Sequence, residues 1–312
     1  MRIKIDLERN QWSEPFLDNV YDCEHQIVCD NSADIFVKSA HLINEKDLES
    51  GKKFIALEKK DGASVLKRGV LKHQSVIRYV KQYKYTDYQL NNLSCVDGRV
   101  FTKFLADEAD FEDISPKLKR DDCQKIFLGW NFLHYRRMQD FIPINFKLEN
   151  ERSIDVFFAG NVMYGNGNHK GGNLITTHRK NCIDSLNSIK GLNIIAISGR
   201  SLSLKDYLST LLNSKVVVSP WGWGEACYRD YEAILAGCIL IKPVTDFVES
   251  SCGIFQQSLI FWTTPDFSDL ELKIRMALKI FKESIEERNK NSALLVNESH
   301  RVKSLIRSIL EF

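Results

Sequence analysis

Arg229 and Glu232 stand three residues apart in the stretch SPWGWGEACYRDYEAILAGC, residues 219–238. At that spacing two side chains share one face of a helix. A guanidinium forks onto phosphate oxygens, and a carboxylate accepts hydrogen bonds from the paired hydroxyls of a ribose. Ahead of the pair, VVVSP reads as a strand stopped by Pro220, and the helix begins near Ala226 or Cys227. WGWGE therefore spans a strand's carboxyl end and a helix's amino end. Free N–H groups at a helix start favour an anion. Gly222 and Gly224 let a backbone approach a ligand closely. Arg229 in the first turn opposes the helix dipole unless an anion lies near it. The bland readings stand beside these. Glycine-rich turns are often purely structural, Glu225 and Arg229 are spaced as a surface pair, and Trp221 and Trp223 are either packing anchors or platforms for a base or sugar.

The elements that must position this pair are clearest after Arg152. SIDVFFAGN, LNIIAISG, VVVSP, CILIKP and SLIFWTT are short apolar strands. THRKNCIDSLNSIKG, SLKDYLSTLLNSK and ACYRDYEAILAG are helices between them, and residues 266–312 are almost all helix-like. Continuous apolar strands alternating with helices imply a parallel sheet covered on both faces. Upstream, MRIKIDL, HQIVCDN and KKFIALEKKDG read as strands. SVIRYVKQYKY and KIFLGWNFLHYRR fit strand or helix, and ADEADFEDISPKLKRDDC reads as a charged surface loop. The expectation is an α/β chain of two domains, 1–150 and 151–312, with a boundary at 146–152 and a cleft between them. In open parallel sheets ligands bind beyond the carboxyl ends of the strands.

Composition narrows the classes. The 312 residues carry 43 Lys+Arg against 41 Asp+Glu, a net charge of +2 that argues against a dedicated nucleic-acid binder. The eight cysteines include no CxxC pair, which argues against a zinc ribbon. With no apolar signal core at the N-terminus and no membrane-length apolar run, the expectation is a cytoplasmic protein with reduced thiols, with peripheral attachment at the inner membrane face left open.

The segment SKVVVSPWGWGEACYRDYEAILAGCILIKP resembles the donor-binding segment of exostosin-like glycosyltransferases and related bacterial surface-polysaccharide transferases of GT-B fold. The resemblance spans roughly residues 152–245 and rests on Pro220, Gly222, Arg229, Glu232, Ala233, Gly237 and Cys238. It implies two Rossmann-like domains facing a cleft. It also implies Arg229 on the donor's diphosphate, or phosphate, and Glu232 on its ribose. Gly224 and Trp223 are donor-site candidates from their place in the turn, since the two tryptophans are not part of the family's pattern. In such transferases a glycine-bearing loop after the domain's first strand faces the cleft. Gly160, His178 and Arg179 match that place, around the loop GNVMYGNGNHKGGN, which reads equally as a surface loop. His178 and Arg179 read equally as solvated residues at a helix start.

The reaction implied moves a sugar from a nucleotide-sugar to a glycan or glycolipid in surface polysaccharide synthesis, with no cofactor beyond the nucleotide-sugar co-substrate. It needs a base for the acceptor hydroxyl and positive charge for the departing phosphate. Arg229 and Arg179 supply the charge without a metal. Asp61, after an apolar strand, is the leading base, with Glu58 and Asp6 as rivals; Asp61 also fits a plain Asp-Gly turn. Lys67, Arg68 and Lys72 are either anion ligands or solvated. A GT-B-fold sugar-nucleotide epimerase, a phosphorylase and a non-catalytic nucleotide- or carbohydrate-binding module are the alternatives.

Overall fold

The computed structural model describes residues 1–23, 25–59, 61–141, 152–164, 169–199 and 201–311. The first half forms β1 (Arg2–Asp6), β2 (Gln26–Ile27), β3 (Ile35–Ser39), β4 (Lys53–Leu57), β5 (Val76–Lys81), β6 (Tyr83–Tyr85) and β7 (Ile126–Leu128). All but β6 build one parallel sheet in the order β2-β1-β3-β4-β5-β7. The second half forms β8 (Ile154–Gly160), β9 (Ile194–Ser198), β10 (Ser214–Val218), β11 (Ile239–Pro243), β12 (Val248–Ser250) and β13 (Ile260–Thr263). All but β12 build a second parallel sheet, β13-β11-β10-β8-β9. Helices α1 (Glu14–Asn19), α2 (Glu45–Glu49), α3 (Arg68–Lys72), α4 (Arg120–Gln124) and α5 (Arg136–Phe141) accompany the first sheet. The rest are α6 (Lys170–Ser188), α7 (Leu204–Leu212), α8 (Tyr228–Leu235), α9 (Leu270–Ile280), α10 (Ile285–Ser299) and α11 (Val302–Leu310).

The central strands of the second sheet, β8, β10 and β11, are largely buried because they are apolar at most positions. Successive side chains of a strand point to opposite faces. In β8, Val156 and Phe158 pack with Cys182 and Leu186 of α6 and Ile274 of α9. Phe157 and Ala159 face the other way, into a cluster with Leu211 of α7 and Tyr231 and Leu235 of α8. That second cluster also contains Ile3, Ile55 and Val80 of the first sheet, so one apolar core runs through both halves.

Two further devices join the halves. β6 and β12 pair antiparallel, Tyr83 opposite Ser250 and Tyr85 opposite Val248, as a ribbon with one strand from each half. The C-terminal helix α11 returns to the first half. There Arg78 Nη1 donates to the Ser308 carbonyl at 2.6 Å, and Lys303 pairs with Asp22 at 2.6 Å. Two parallel sheets bridged by a returning C-terminal helix form an α/β architecture with one Rossmann-like sheet in each half, as the sequence led us to expect.

Several local readings change. β3 and β12 were not anticipated, SVIRYVKQYKY is strand as β5 and β6 with a break at Gln82, and KIFLGWNFLHYRR holds β7, a 3-10 turn at Phe132–His134 and the start of α5. ADEADFEDISPKLKRDDC is irregular except for two short turns of helix, Glu108–Asp110 and the start of α4. Helix α6 starts at Lys170, so His178 and Arg179 sit in its middle. The expected boundary at 146–152 lies outside the described residues except for Arg152, and residues 165–168 of the glycine-rich loop lie outside them too. All eight cysteines are free. Among the described residues no helix is long and apolar enough to cross a membrane.

Candidate functional site: an arginine-lined cavity at the switch point of the second sheet

From β8 the chain passes to β9 on one side and then to β10 on the other. The strand order therefore reverses between β8 and β10, and a crevice opens beyond their carboxyl ends. Helix α8, which follows β10, begins there. Its first turn is fixed by Asp230, whose carboxylate accepts from the Cys227 N–H at 2.9 Å and pairs with Lys242 of β11 at 3.1 Å, both side chains fully buried. That pairing uses up the only acidic charge in the first turn of α8.

Arg229 reaches from this turn across to the end of β8. Its Nε and Nη2 donate to the Ala159 carbonyl at 3.1 and 2.5 Å, and the guanidinium lies 4.8 Å from the Phe158 ring centre. Arg229 is 8% exposed. Its remaining nitrogen, Nη1, is buried with no hydrogen-bond partner among the described residues. A buried donor left unpaired is costly. Gly160 makes the arrangement fit, since a Cβ there would overlap Arg229 Nη2 and meet Arg179 Nη1 at 3.5 Å.

Arg179 of α6 comes to the same place from the opposite wall. Its Nε donates to the Trp221 carbonyl and its Nη1 to the Asn161 carbonyl, both at 2.7 Å. Burial, and then the charge of Arg229, lower its pKa below the usual arginine value. Two like charges whose hydrogen bonds go only to neutral carbonyls among the described residues favour any anion placed between them. Both arginines line a cavity of about 940 Å³. Glu232, on the same helical face as Arg229, lines it as well. Its two oxygens accept from Arg137 Nη2 at 3.0 Å and the Tyr207 hydroxyl at 2.5 Å. The Tyr228 hydroxyl is a second buried polar atom of this wall without a partner among the described residues.

Of the residues expected to bind a donor, the structure thus brings Arg229, Glu232, Gly160 and Arg179 together. It does not bring His178, Gly222, Gly224 or Trp223 into this cavity. His178 is 3% exposed, stacked on the fully buried Trp221 with ring centres 5.2 Å apart. Its Nε2 accepts the Trp221 N–H at 3.2 Å. Burial and the neighbouring Arg179 push its pKa down to about 3, so it is a neutral core residue rather than a phosphate ligand. Trp221 is accordingly a packing anchor, with its Nε1 donating to Thr245 Oγ1 at 2.9 Å. Gly222 leaves room for Arg179, whose Nη2 would lie 3.1 Å from a Cβ there.

Gly224 and Glu225 face the other half of the molecule instead. A Cβ at Gly224 would overlap the Asp61 carbonyl. The Glu225 carboxylate, 1% exposed, accepts from the Ala63 N–H at 3.0 Å and the Tyr85 hydroxyl at 2.8 Å. The expected surface pair of Glu225 with Arg229 is therefore replaced by a contact between the two halves. Trp223 and Asp61 meet in a second, smaller cavity of about 360 Å³. The rivals of Asp61 line neither cavity. Glu58 is held in the first core by the Tyr79 hydroxyl at 2.5 Å and by Lys81 at 3.5 Å, and Asp6 lies 3.7 Å from Lys38. Arg68 is buried against the Asn91 carbonyl, Lys72 donates to the Lys117 carbonyl at 3.2 Å, and Lys67 is exposed.

Sequence reasoning missed Arg137, Tyr207 and Tyr228. Arg137 lay in a segment read as strand or helix without a site. Tyr207 is on a helix face that only the fold turns toward Glu232. Tyr228, next to Arg229, was within the quoted stretch and was passed over.

No protein-family model matches the chain, and no curated protein matches it. Among solved structures it is similar to the trehalose-6-phosphate synthase OtsA, at 10% identity, covering 98% of this chain and 78% of that one, with a TM-score of 0.48. It is similar to an α,α-trehalose-phosphate synthase (UDP-forming) from Burkholderia vietnamiensis, at 8% identity, 98% and 79% coverage and a TM-score of 0.46. It is also similar to a UDP-GlcNAc 2-epimerase from Methanocaldococcus jannaschii, at 10% identity, 90% and 93% coverage and a TM-score of 0.38.

Proposed function

We propose that the chain is a glycosyltransferase that takes a sugar from a nucleotide-sugar bound in the larger cavity. The observation that carries this reading is the buried Nη1 of Arg229, unpartnered at the switch point beside a second buried arginine. A diphosphate bridging Arg229 and Arg179 satisfies that donor and relieves the repulsion between the two charges. Glu232 lies one helical turn away, where its carboxylate meets ribose hydroxyls, and exposed Arg137 is free to swing aside as they bind. As the glycosidic bond to the diphosphate breaks, negative charge grows on the leaving phosphate, and two fixed guanidinium groups stabilise it without reorganising.

Asp61 is the proposed base. It is exposed on the loop after β4 and lines the smaller cavity. Its charge bears on Tyr228 of the larger cavity's wall, which supports a base lying near the junction of the two cavities. In line with the resemblance of residues 152–245 to exostosin-like enzymes, the acceptor in this proposal is a surface glycan or glycolipid, met at the inner face of a membrane.

The test is a thermal-shift screen against UDP-, GDP-, CMP- and dTDP-sugars, followed by assay of nucleotide release with glycan acceptors. One nucleotide series should raise the melting temperature, and Arg229→Lys, which keeps the charge but loses the fork, should weaken that nucleotide roughly ten- to a hundredfold. No shift with any nucleotide, or full affinity in the variant, would rule the reading out.

A further inference from the structure

The smaller cavity has a charge pattern of its own. Its lining comes from both halves of the chain: Lys59, Asp61 and Arg99 from the first, and His169 and Trp223 from the second. The two cavities are neighbours, because Tyr164 of the larger one stands edge-on to Trp223 with ring centres 5.6 Å apart.

The cationic side chains of Lys59 and Arg99 make no direct ion pair among the described residues. Arg99 uses Nε on the Trp223 carbonyl at 3.0 Å and Nη1 on the Asp97 carbonyl at 3.3 Å, both neutral acceptors. Lys59 is exposed and makes no ion pair among the described residues. Asp61 is the one carboxylate in the described lining. The nearby carboxylate of Asp97 is already committed, accepting the Gly171 N–H at the start of α6 at 2.9 Å and touching His169 Nδ1 at 3.2 Å. What is left facing the cavity is a lysine and an arginine against a single acid.

We infer that this cavity is the acceptor subsite and that it selects acceptors carrying an anionic group, a phosphate or a carboxylate, close to the hydroxyl that is glycosylated. The word acceptor rests on the transferase reading above; the charge preference does not. The volume, about 360 Å³, is at the small end of the range for ligand pockets and suits a single charged sugar unit. Lys59 and Arg99 hold the anion, and Asp61, which lines the same cavity, meets the hydroxyl.

The experiment is a calorimetric titration of the full chain with glucose 6-phosphate, glucuronic acid and glucose. At least one of the two anionic sugars should bind, and glucose should bind at least tenfold more weakly. Comparing the two anionic sugars distinguishes phosphate from carboxylate as the recognised group. Lys59→Ala, at an exposed position, should weaken the anionic sugar roughly tenfold, and Arg99→Lys should weaken it in the same direction. Binding should persist in the presence of saturating UDP. Equal affinity for glucose, an unchanged affinity in Lys59→Ala, or displacement of the sugar phosphate by UDP would overturn the inference. If the transferase reading alone is wrong, the nucleotide screen fails while the charge preference and its loss in Lys59→Ala remain.

Discussion

Gly224 and Asp61 touch across the two halves of the molecule so closely that Gly224 has no room for a side chain. The turn that leads into the arginine-bearing helix α8 is thereby pressed against the loop that carries the proposed base. Adding one methyl group by Gly224→Ala should cost about 1–3 kcal/mol of stability through overpacking. It should also lower the transfer rate more than it lowers nucleotide affinity. Denaturant unfolding and a comparison of kcat with nucleotide Kd check both parts; a fully active, equally stable variant would show that the contact is dispensable.

Gly160→Ala tests the placement of Arg229 without changing any charge. The new Cβ occupies the position of Arg229 Nη2, so the guanidinium must leave the Ala159 carbonyl. Nucleotide affinity should fall roughly ten- to a hundredfold, as in Arg229→Lys. Titration of the two variants side by side reads this directly, and an unaffected Gly160→Ala would mean that Arg229 can bind from a different rotamer.

The route from sequence to site was legible in part. The β8-to-β11 alternation of apolar strands and helices is strong because the central strands of that sheet are largely buried, and it placed Arg229 and Glu232 correctly on one face of α8. The glycines of WGWGE were read as making room for a ligand. Gly224 makes room for Asp61 and Gly222 for Arg179, partners that lie far away in sequence and that only the packed fold brings near. β3 went unread because IFVKS is short and mostly buried without an alternating pattern. His178 reads as a donor ligand or a solvated helix-start residue if its helix begins at Thr177, whereas the helix starts at Lys170 and buries His178 in its middle.

The buried pair of Asp230 and Lys242, 3.1 Å apart with both side chains fully buried, fixes the start of α8. Asp230→Ala should destabilise the fold by about 3–5 kcal/mol, because it strands the lysine charge in the core. The double variant Asp230→Ala/Lys242→Met should recover a large part of that loss. Urea midpoints of the single and double variants decide it; equal midpoints would show that the stranded charge is not the source of the cost.

Acid should destabilise the protein through its neutral histidines. Burial lowers His178 to about 3 and His134 to about 4. His134 is held neutral between the Asn131 N–H and the Glu298 carbonyl, at 3.2 and 3.1 Å. In the unfolded chain a histidine titrates near 6.5. Above that value both states are neutral and the stability is complete. As pH falls from about 6.5 toward 4 the unfolded state gains protons that the folded state refuses. Each histidine then removes about 1.4 kcal/mol per pH unit. Unfolding free energy measured from pH 7.5 to 4.5 should fall accordingly, and His178→Gln should flatten the slope; an unchanged slope in that variant would contradict the assignment.

The central claim is that Arg229 Nη1 and Arg179 form a diphosphate site at the switch between β8 and β10. A crystal structure of the protein with the nucleoside diphosphate that gives the largest thermal shift tests it most directly. A phosphate oxygen should lie within hydrogen-bond distance of Arg229 Nη1, a second near Arg179, and the ribose hydroxyls on Glu232. A diphosphate bound elsewhere, with Arg229 Nη1 still unpartnered, would contradict it.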